Sequence, residues 1–239
     1  MREPGPPAIP LDPEGAPGRG AAAPPDEFAA AFEAELVRAL AHLLQPDPPV
    51  ARDDEPIEEL LVAALRDELE AAEVAASWMA DETDLDLELG LARQVGDGAR
   101  HYRLVADRLR QLGIEPDGID PRARGHSHGY RYLKGLGTAA ERLAANAVRG
   151  ALARLRNALV ARACEAHGDG ETARLFREIV DADEAWHLDF ARRMVARHAV
   201  TAEDQERARH ALARTLKLAE ARPERRAAPP SPKPGGANA

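Results

Sequence analysis

Apolar residues recur along most of this chain at spacings of three and four residues, which is the repeat of one face of an α-helix. This pattern predicts six helices, over about residues 26–44, 56–80, 83–112, 138–167, 171–198 and 201–221. No segment alternates between apolar and polar positions in the way of a half-buried β-strand. The chain is therefore predicted to be all-α.

Residues at the ends of the predicted helices support these bounds. A threonine followed three residues later by an acid forms a capping box, which is typical of a helix N-terminus. Three such pairs are present, Thr83 with Asp86, Thr138 with Glu141 and Thr201 with Asp204. Gly113 and Gly168 follow two of the predicted C-termini, where glycine readily adopts the left-handed conformation that ends a helix.

Four of the helices fall into two pairs with short internal turns, and a long connector separates the pairs. These four are predicted to form one bundle over residues 56–198, flanked by an accessory helix and linker at 26–55 and a C-terminal helix at 199–221. The ends, 1–25 and 222–239, are rich in proline, glycine and alanine. We expect both ends to be disordered tails, because they cannot bury enough apolar surface to become ordered.

Composition narrows the classes of function. The net charge of −9 argues against a nucleic-acid-binding surface. No run approaches the roughly 20 apolar residues that span a bilayer, and the N-terminus lacks the apolar stretch of a signal peptide, so we expect no membrane partner and a cytoplasmic location. The single cysteine, Cys164, excludes an internal disulfide and a cysteine-based zinc site, and we expect it to be a small buried packing residue.

Four polar residues fall on apolar stripes, where hydrophobic residues are expected. They are Glu68 in the second predicted helix, His101 in the third, and Glu184 and His187 in the fifth. Glu184 and His187 are three residues apart, so they share one helix face and can bind one ion together. Counted from the turn within each helix pair, Glu68 and Glu184 both lie fifteen residues away, at the same depth in the bundle.

Two similar segments occupy equivalent places in the two helix pairs. Residues 97–101 read Asp-Gly-Ala-Arg-His, and residues 183–187 read Asp-Glu-Ala-Trp-His. With the long connector, they make residues 57–198 resemble the ferritin-like superfamily, most closely its di-iron carboxylate branch of rubrerythrins, phenylacetyl-CoA epoxidase-type subunits and tRNA hydroxylases. The resemblance implies a four-helix bundle with a long crossover between its second and third helices. It also implies a metal site built from one glutamate on each of two helices and a Glu-x-x-His on each of the others.

The chain departs from the family pattern at two ligand positions. Gly98 stands where the bridging glutamate of the first Glu-x-x-His belongs, and residues 150–155 offer no carboxylate. These gaps argue against an ordinary di-iron site. The four remaining residues, Glu68, His101, Glu184 and His187, are instead predicted to bind one ion per chain, iron or another divalent metal. Two histidines with a carboxylate are a known ligand set for iron(II) or zinc.

A metal-free arrangement is the alternative to this site. In that case Arg149 or Arg154 points inward and pairs with Glu68 and Glu184, or water satisfies them, because a buried acid must be paired, coordinated or neutral. The resemblance implies that two further acids, Asp97 and Asp183, orient a histidine ligand from behind, as such acids often do in the family. A place on the charged helix surface is the alternative for both. His126 and His128 lie in the glycine-containing connector and are expected to be exposed to solvent.

The function predicted from these features is that of a ferritin-like domain protein, a non-catalytic or single-metal-binding relative of the di-iron proteins, with no catalytic residues assigned. A metal-dependent oxidoreductase that uses oxygen or peroxide is the alternative. The helices flanking the bundle are also compatible with an interface to a second copy of the chain or to another protein.

Overall fold

A computed structural model describes residues 21–43, 56–123 and 125–220, and the regular structure in these ranges is entirely helical. The all-α prediction is thereby confirmed. Residues 1–20 and 221–239, which hold most of the predicted tails, fall outside the described residues, as does the predicted linker at 44–55. Residues 21–25, which were predicted to belong to the disordered N-terminal tail, are described, and Ala23 is hydrogen-bonded to Gln205 through its backbone N–H and its carbonyl oxygen. No described helix is both long enough and apolar enough to cross a membrane.

Eight α-helices follow one another along the described part of the chain. They are α1 (Pro25–Leu43), α2 (Ile57–Met79), α3 (Leu85–Gln111), α4 (His128–Lys134), α5 (Ala139–Ala166), α6 (Gly170–Arg174), α7 (Asp181–His198) and α8 (Ala202–Glu220). A 3-10 turn at Pro116–Gly118 interrupts the connector between α3 and α5. A π-helical turn at Leu175–Val180 joins α6 to α7, where the sequence pattern predicted one uniform helix.

The helix ends confirm most of the predicted signals. Thr138 and Glu141 form the predicted capping box of α5, and Thr201 and Asp204 exchange the same kind of hydrogen bonds before α8. The box predicted at Thr83 is wrong, because the neighbouring Asp84 caps α3 and accepts hydrogen bonds from two backbone amides in the first turn. A carboxylate accepts two such bonds readily, and its charge is favourable at a helix N-terminus.

Buried apolar side chains form two clusters. The first apolar cluster includes Trp78, Leu87, Leu91, Leu143 and Val195. The second apolar cluster includes Leu61, Leu65, Leu109, Cys164 and Phe176. Along α2, α3 and α7 the polar residues of the predicted site lie in sequence between members of the two clusters. The site therefore lies midway along α2 and α3 and in the first two turns of α7, just after the π-helical turn, with apolar packing above and below it.

The contacts between helices establish the direction of the chain. α2 packs chiefly on α3, and α5 packs chiefly on α7 and α8. Gln94 in α3 forms two hydrogen bonds with Asn146 in α5, at 3.0 and 3.1 Å, so the first halves of these two helices face each other. α3 and α5 consequently run in the same direction, and the connector between them has to return along the length of the helices.

That connector is anchored to α2 and contains a short helix that the sequence pattern did not predict. Glu70 of α2 accepts a hydrogen bond from the backbone amide of Ser127 at 2.8 Å, and Ser127 caps α4. Trp78 donates its indole N–H to the carbonyl oxygen of Leu133 at 3.0 Å. Helices α1 and α8 complete the fold, and both contact α5.

Candidate metal centre

Three helices bring the four predicted ligand residues together. Glu68 comes from α2, His101 from α3, and Glu184 and His187 from α7. One donor atom from each of Glu68, His101 and Glu184 lies within 4.8 Å of the other two. His187 Nδ1 lies 3.5 Å from Glu184 Oε1. The structure thus brings Glu68, His101 and Glu184 together as a group that could hold one ion, and His187 adjoins this group through its contact with Glu184.

Each histidine is held from behind by an aspartate on the opposite helix. His101 Nε2 in α3 is 2.9 Å from Asp183 Oδ2 in α7, and His187 Nε2 in α7 is 3.0 Å from Asp97 Oδ2 in α3. The repeated Asp-x-x-x-His segments therefore exchange partners across the interface between the two helices. Carboxylates bonded to one ring nitrogen commonly orient a histidine whose other nitrogen binds a metal.

Arginines secure the two aspartates on their outer side. Arg93 Nε lies 3.3 Å from Asp97 Oδ2, and Arg100 forms an ion pair with Asp183. The Arg93 guanidinium also stacks over the indole ring of Trp186, 3.8 Å from its centroid. Each aspartate is therefore ion-paired, and its Oδ2 oxygen accepts hydrogen bonds from both the arginine and the histidine.

His101 is fully buried between two carboxylates. Its Nδ1 lies 3.2 Å from Glu68 Oε2, while its Nε2 is bonded to Asp183. Burial by itself lowers the pKa of this imidazole, but the carboxylates of Glu68 and Asp183 outweigh burial and raise the pKa above its usual value. A proton on Nδ1 thus occupies the place in which a cation would be bound between His101 and Glu68.

The two glutamates differ in their preferred charge. Burial raises the pKa of Glu68, and the negative charge of Glu184 raises it further. Together these two effects outweigh the contact with His101, which lowers the pKa. Burial also opposes ionisation of Glu184, but His187 and the positive charge of Arg149 together lower the pKa of that carboxyl below its usual value. One negative charge is therefore favoured at this pair, and a second would need an added cation.

Two buried polar atoms at the centre have no hydrogen-bond partner in the described part of the chain. They are Glu184 Oε2 and His187 Nδ1. An unpaired buried carboxylate oxygen beside an unpaired imidazole nitrogen is costly in a folded core unless something binds between them. A carboxylate and a neutral imidazole are both ligands for divalent iron, zinc or manganese. The residues present thus fit a metal ion.

The arginine pairing predicted for a metal-free core is not the arrangement found. Arg154 forms a two-pronged ion pair with Asp181, at 3.1 Å for each hydrogen bond. Arg149 donates to Asn146 Oδ1 and acts on Glu184 only through its charge. Neither arginine is hydrogen-bonded to Glu68 or Glu184 among the described contacts.

Helix packing accounts for the missing glutamate at position 98. A Cβ atom at this position would lie 3.2 Å from Ala72 Cβ and 3.3 Å from the carbonyl oxygen of Glu68. Glycine is required here because α2 passes so close to α3. On α5, the buried face at 147–153 consists of small apolar residues. The structure consequently offers no position for the two absent carboxylates.

The weaker sequence candidates take structural roles. His126 stacks on Tyr130 with the rings 3.9 Å apart, and His128 is exposed in the first turn of α4. Trp78 is buried in the first apolar cluster. Cys164 is fully buried in the second apolar cluster, and burial raises the pKa of its thiol to about 11.

Sequence patterns missed three residues that matter to the site. Arg93 and Arg100 flank Asp97 at helical spacings of four and three, a signal that could have linked them to it. Asn157 is a buried polar residue on the apolar stripe of α5. Glu68 was selected because it is a polar residue on an apolar stripe, and Asn157 meets the same criterion.

Comparison with known proteins gives no relative from which a role could be transferred. The chain matches no family model, no curated protein and no solved structure.

Proposed function

We propose that this chain is a metal-binding helical-bundle protein that holds one divalent ion between Glu68, His101, Glu184 and His187. The observation that carries this proposal is the pair of buried, unpartnered atoms, Glu184 Oε2 and His187 Nδ1, beside the Glu68–His101 contact. A divalent ion would satisfy both atoms and compensate the charge of the two carboxylates. The Nε2–H groups of both histidines would keep their aspartate partners.

We also propose that the bundle is ferritin-like. Support comes from the pairing of α2 with α3 and of α5 with α7, and from the parallel course of α3 and α5, which needs a long crossover. The two Asp-x-x-x-His segments add support, since their side chains meet at one level of the bundle. Helices α1 and α8 lie outside these four helices.

One ion, rather than two, suits the donor set. A two-metal site needs carboxylates that bridge the ions, and α2 passes so close to Gly98 that even a Cβ atom there would press on Ala72 and on the backbone of Glu68. Two imidazoles and two carboxylates are enough protein ligands to hold one ion. Iron, manganese and zinc all accept these ligands. In a single-ion site without catalysis, the ion has a structural or regulatory role.

A metal-dependent oxidoreductase is the second candidate. It is favoured by a small cavity beside Glu68, which lies between α2 and α5. Four protein ligands would leave coordination positions on an iron ion open to a small molecule. Oxygen or peroxide would be the substrate class of such an enzyme.

The decisive experiment is metal analysis of protein purified anaerobically without an affinity metal. We expect about one equivalent of a transition metal per chain in the wild type, and a loss of that metal in the double variant Glu184→Gln/His187→Gln. The matched control is Glu203→Gln/His210→Gln, which changes the same residue types on the exposed surface of α8 and is expected to retain the metal.

Other outcomes would reject parts of the proposal. Two equivalents per chain would contradict the single-ion site. Absence of metal from the wild type, with no rise in melting temperature on adding iron, manganese or zinc, would reject metal binding, because a ligand that binds only the folded state must stabilise it.

A further inference from the structure

Asn157 is a buried side chain on α5 with an unmet hydrogen-bonding requirement. It is 7% exposed, and its Nδ2 has no partner among the described residues. The other buried amide of α5, Asn146, forms hydrogen bonds in both directions with Gln94. A polar group left unpaired at this depth destabilises the fold unless a bound molecule accepts its hydrogen bond.

Asn157 lines a cavity of about 20 Å³ between α2, α5 and the π-helical turn. Glu68 borders the same cavity, and Phe176 of the π-helical turn closes its apolar side. A space of this size holds one or two water-sized groups, given that roughly 10–15 Å³ suffices for one water. The cavity therefore fits very small molecules.

The chemistry of the walls restricts the occupant further. The occupant must accept a hydrogen bond from Asn157 Nδ2, and it lies beside the carboxyl group of Glu68, which accepts hydrogen bonds when ionised. Arg156, at the edge of the cavity, is already ion-paired with Asp67. A small anion would lack an available cation and would meet Glu68, so a neutral molecule with both donor and acceptor groups fits best.

We propose that this cavity binds a small hydroxylic molecule of one or two oxygen atoms, water or hydrogen peroxide, which accepts a hydrogen bond from Asn157 and donates one to Glu68. Occupation of the cavity does not depend on a bound metal. The further step, in which the bound molecule reaches the ion from this cavity, rests on the proposed function. Asn157 is then a ligand-binding residue next to the metal centre.

Crystal structures of the metal-free protein, before and after soaking in hydrogen peroxide, test occupancy directly. We expect one ordered oxygen at hydrogen-bonding distance from Asn157 Nδ2, about 2.7–3.2 Å. After the soak we expect either the same single oxygen, which identifies water, or a two-oxygen molecule, which identifies peroxide. An empty cavity, or an Asn157 Nδ2 bonded to a protein oxygen, would overturn the proposal.

The variant Asn157→Leu separates binding from folding, and Asn146→Leu is its matched control. The first change removes a donor that has no protein partner, so we expect the melting temperature to stay within about 4 °C of the wild type. The second change leaves Gln94 unpaired in the core and should lower the melting temperature by more. In crystals of Asn157→Leu the ordered oxygen should be lost.

Metal analysis of Asn157→Leu keeps the two proposals distinguishable. If the wild type holds an ion, this variant should hold the same amount, because Asn157 is outside the ligand set. If the wild type holds no metal ion, the proposed function fails. The presence or absence of the ordered oxygen in the cavity still tests the role of Asn157 in that case. A stable Asn157→Leu protein that retains the ordered oxygen would refute the role given to the amide.

Discussion

The imidazole of His187 in α7 donates a hydrogen bond from Nε2 to the carboxylate of Asp97 in α3, with the two atoms 3.0 Å apart. His101 and Asp183 form the reciprocal pair at 2.9 Å. Each pair fixes which nitrogen of the histidine carries a proton and turns Nδ1 toward the glutamates. The aspartates thus position the two histidines without belonging to the proposed ligand set.

We predict that Asp97→Asn weakens metal binding without removing the fold. Loss of the carboxylate lowers the basicity of His187 and loosens its orientation, and changes of this kind typically cost about 10- to 100-fold in affinity. Competition with a zinc-binding dye measures the change. The control is Asp107→Asn, an exposed residue on the same helix, which should leave the affinity unchanged. Equal affinities in the two variants would contradict the positioning role.

We predict that Gly98→Ala destabilises the protein although alanine is the better helix former. The added Cβ would meet the backbone of α2 at 3.3 Å, and overpacking of this kind costs about 1–3 kcal/mol. The higher helix propensity of alanine offsets only about 1 kcal/mol of this cost. Chemical denaturation measures the free energy of unfolding.

The control for that prediction is Gly96→Ala on the same helix. A Cβ at Gly96 meets nothing within 4 Å, so helix propensity alone should stabilise this variant by up to about 1 kcal/mol. A stabilised Gly98→Ala protein would show that α2 and α3 separate easily. Space for a bridging carboxylate would then have to be reconsidered.

We predict that Cys164 does not react with thiol reagents in the native protein at pH 8. Its pKa is raised to about 11 by burial, so only about 0.1% of the thiol is ionised at that pH, and the thiolate is the reactive form. Mass spectrometry after treatment with iodoacetamide provides the measurement. Denatured protein supplies the positive control, and labelling at equal rates in both states would contradict the burial of Cys164.

We predict that the Arg108–Asp169 ion pair stabilises the turn between α5 and α6 at neutral pH. Arg108 Nη2 lies 2.7 Å from Asp169 Oδ1, and hydrogen bonds from Thr172 together with Arg108 lower the pKa of Asp169 against the opposing effect of burial. Asparagine caps a helix about as well as aspartate. Asp169→Asn therefore removes mainly the charge and should cost about 1–3 kcal/mol at pH 7.

The pH dependence of that cost gives a second check. Because the pKa of Asp169 is lower in the folded state, its stabilisation is complete above the unfolded pKa of about 4 and disappears as the pH falls through the folded pKa. The difference in unfolding free energy between wild type and Asp169→Asn should shrink below about pH 4. Asp117→Asn, at an exposed ion pair, should show almost no difference at any pH.

Local signals predicted most of the fold. Apolar spacing located the long helices to within one or two residues at most of their ends. Gly113 and Gly168, with φ angles of 80° and 79°, end α3 and α5 as expected. The failure at Thr83 arose because Asp84 is an equally good cap one residue later. Helix α4 escaped prediction because its seven residues are stabilised by contacts with α2 and by the cap at Ser127.

The four candidate ligands could be selected from the sequence because each is a polar residue on an apolar stripe. The sequence alone therefore determined the helical class, the approximate helix bounds and the membership of Glu68, His101, Glu184 and His187 in the core. These properties depend on residues three to seven positions apart, whose relative placement the helix itself dictates.

Only the tertiary structure decided how those residues meet. The exchange of Asp97 and Asp183 between the two histidines, the pairing of Arg154 with Asp181 and the contact of Gly98 with α2 all join residues that are far apart in the sequence. Such contacts depend on the rotation, depth and separation of whole helices. Those quantities result from packing across the entire core, and no local pattern of residues contains them.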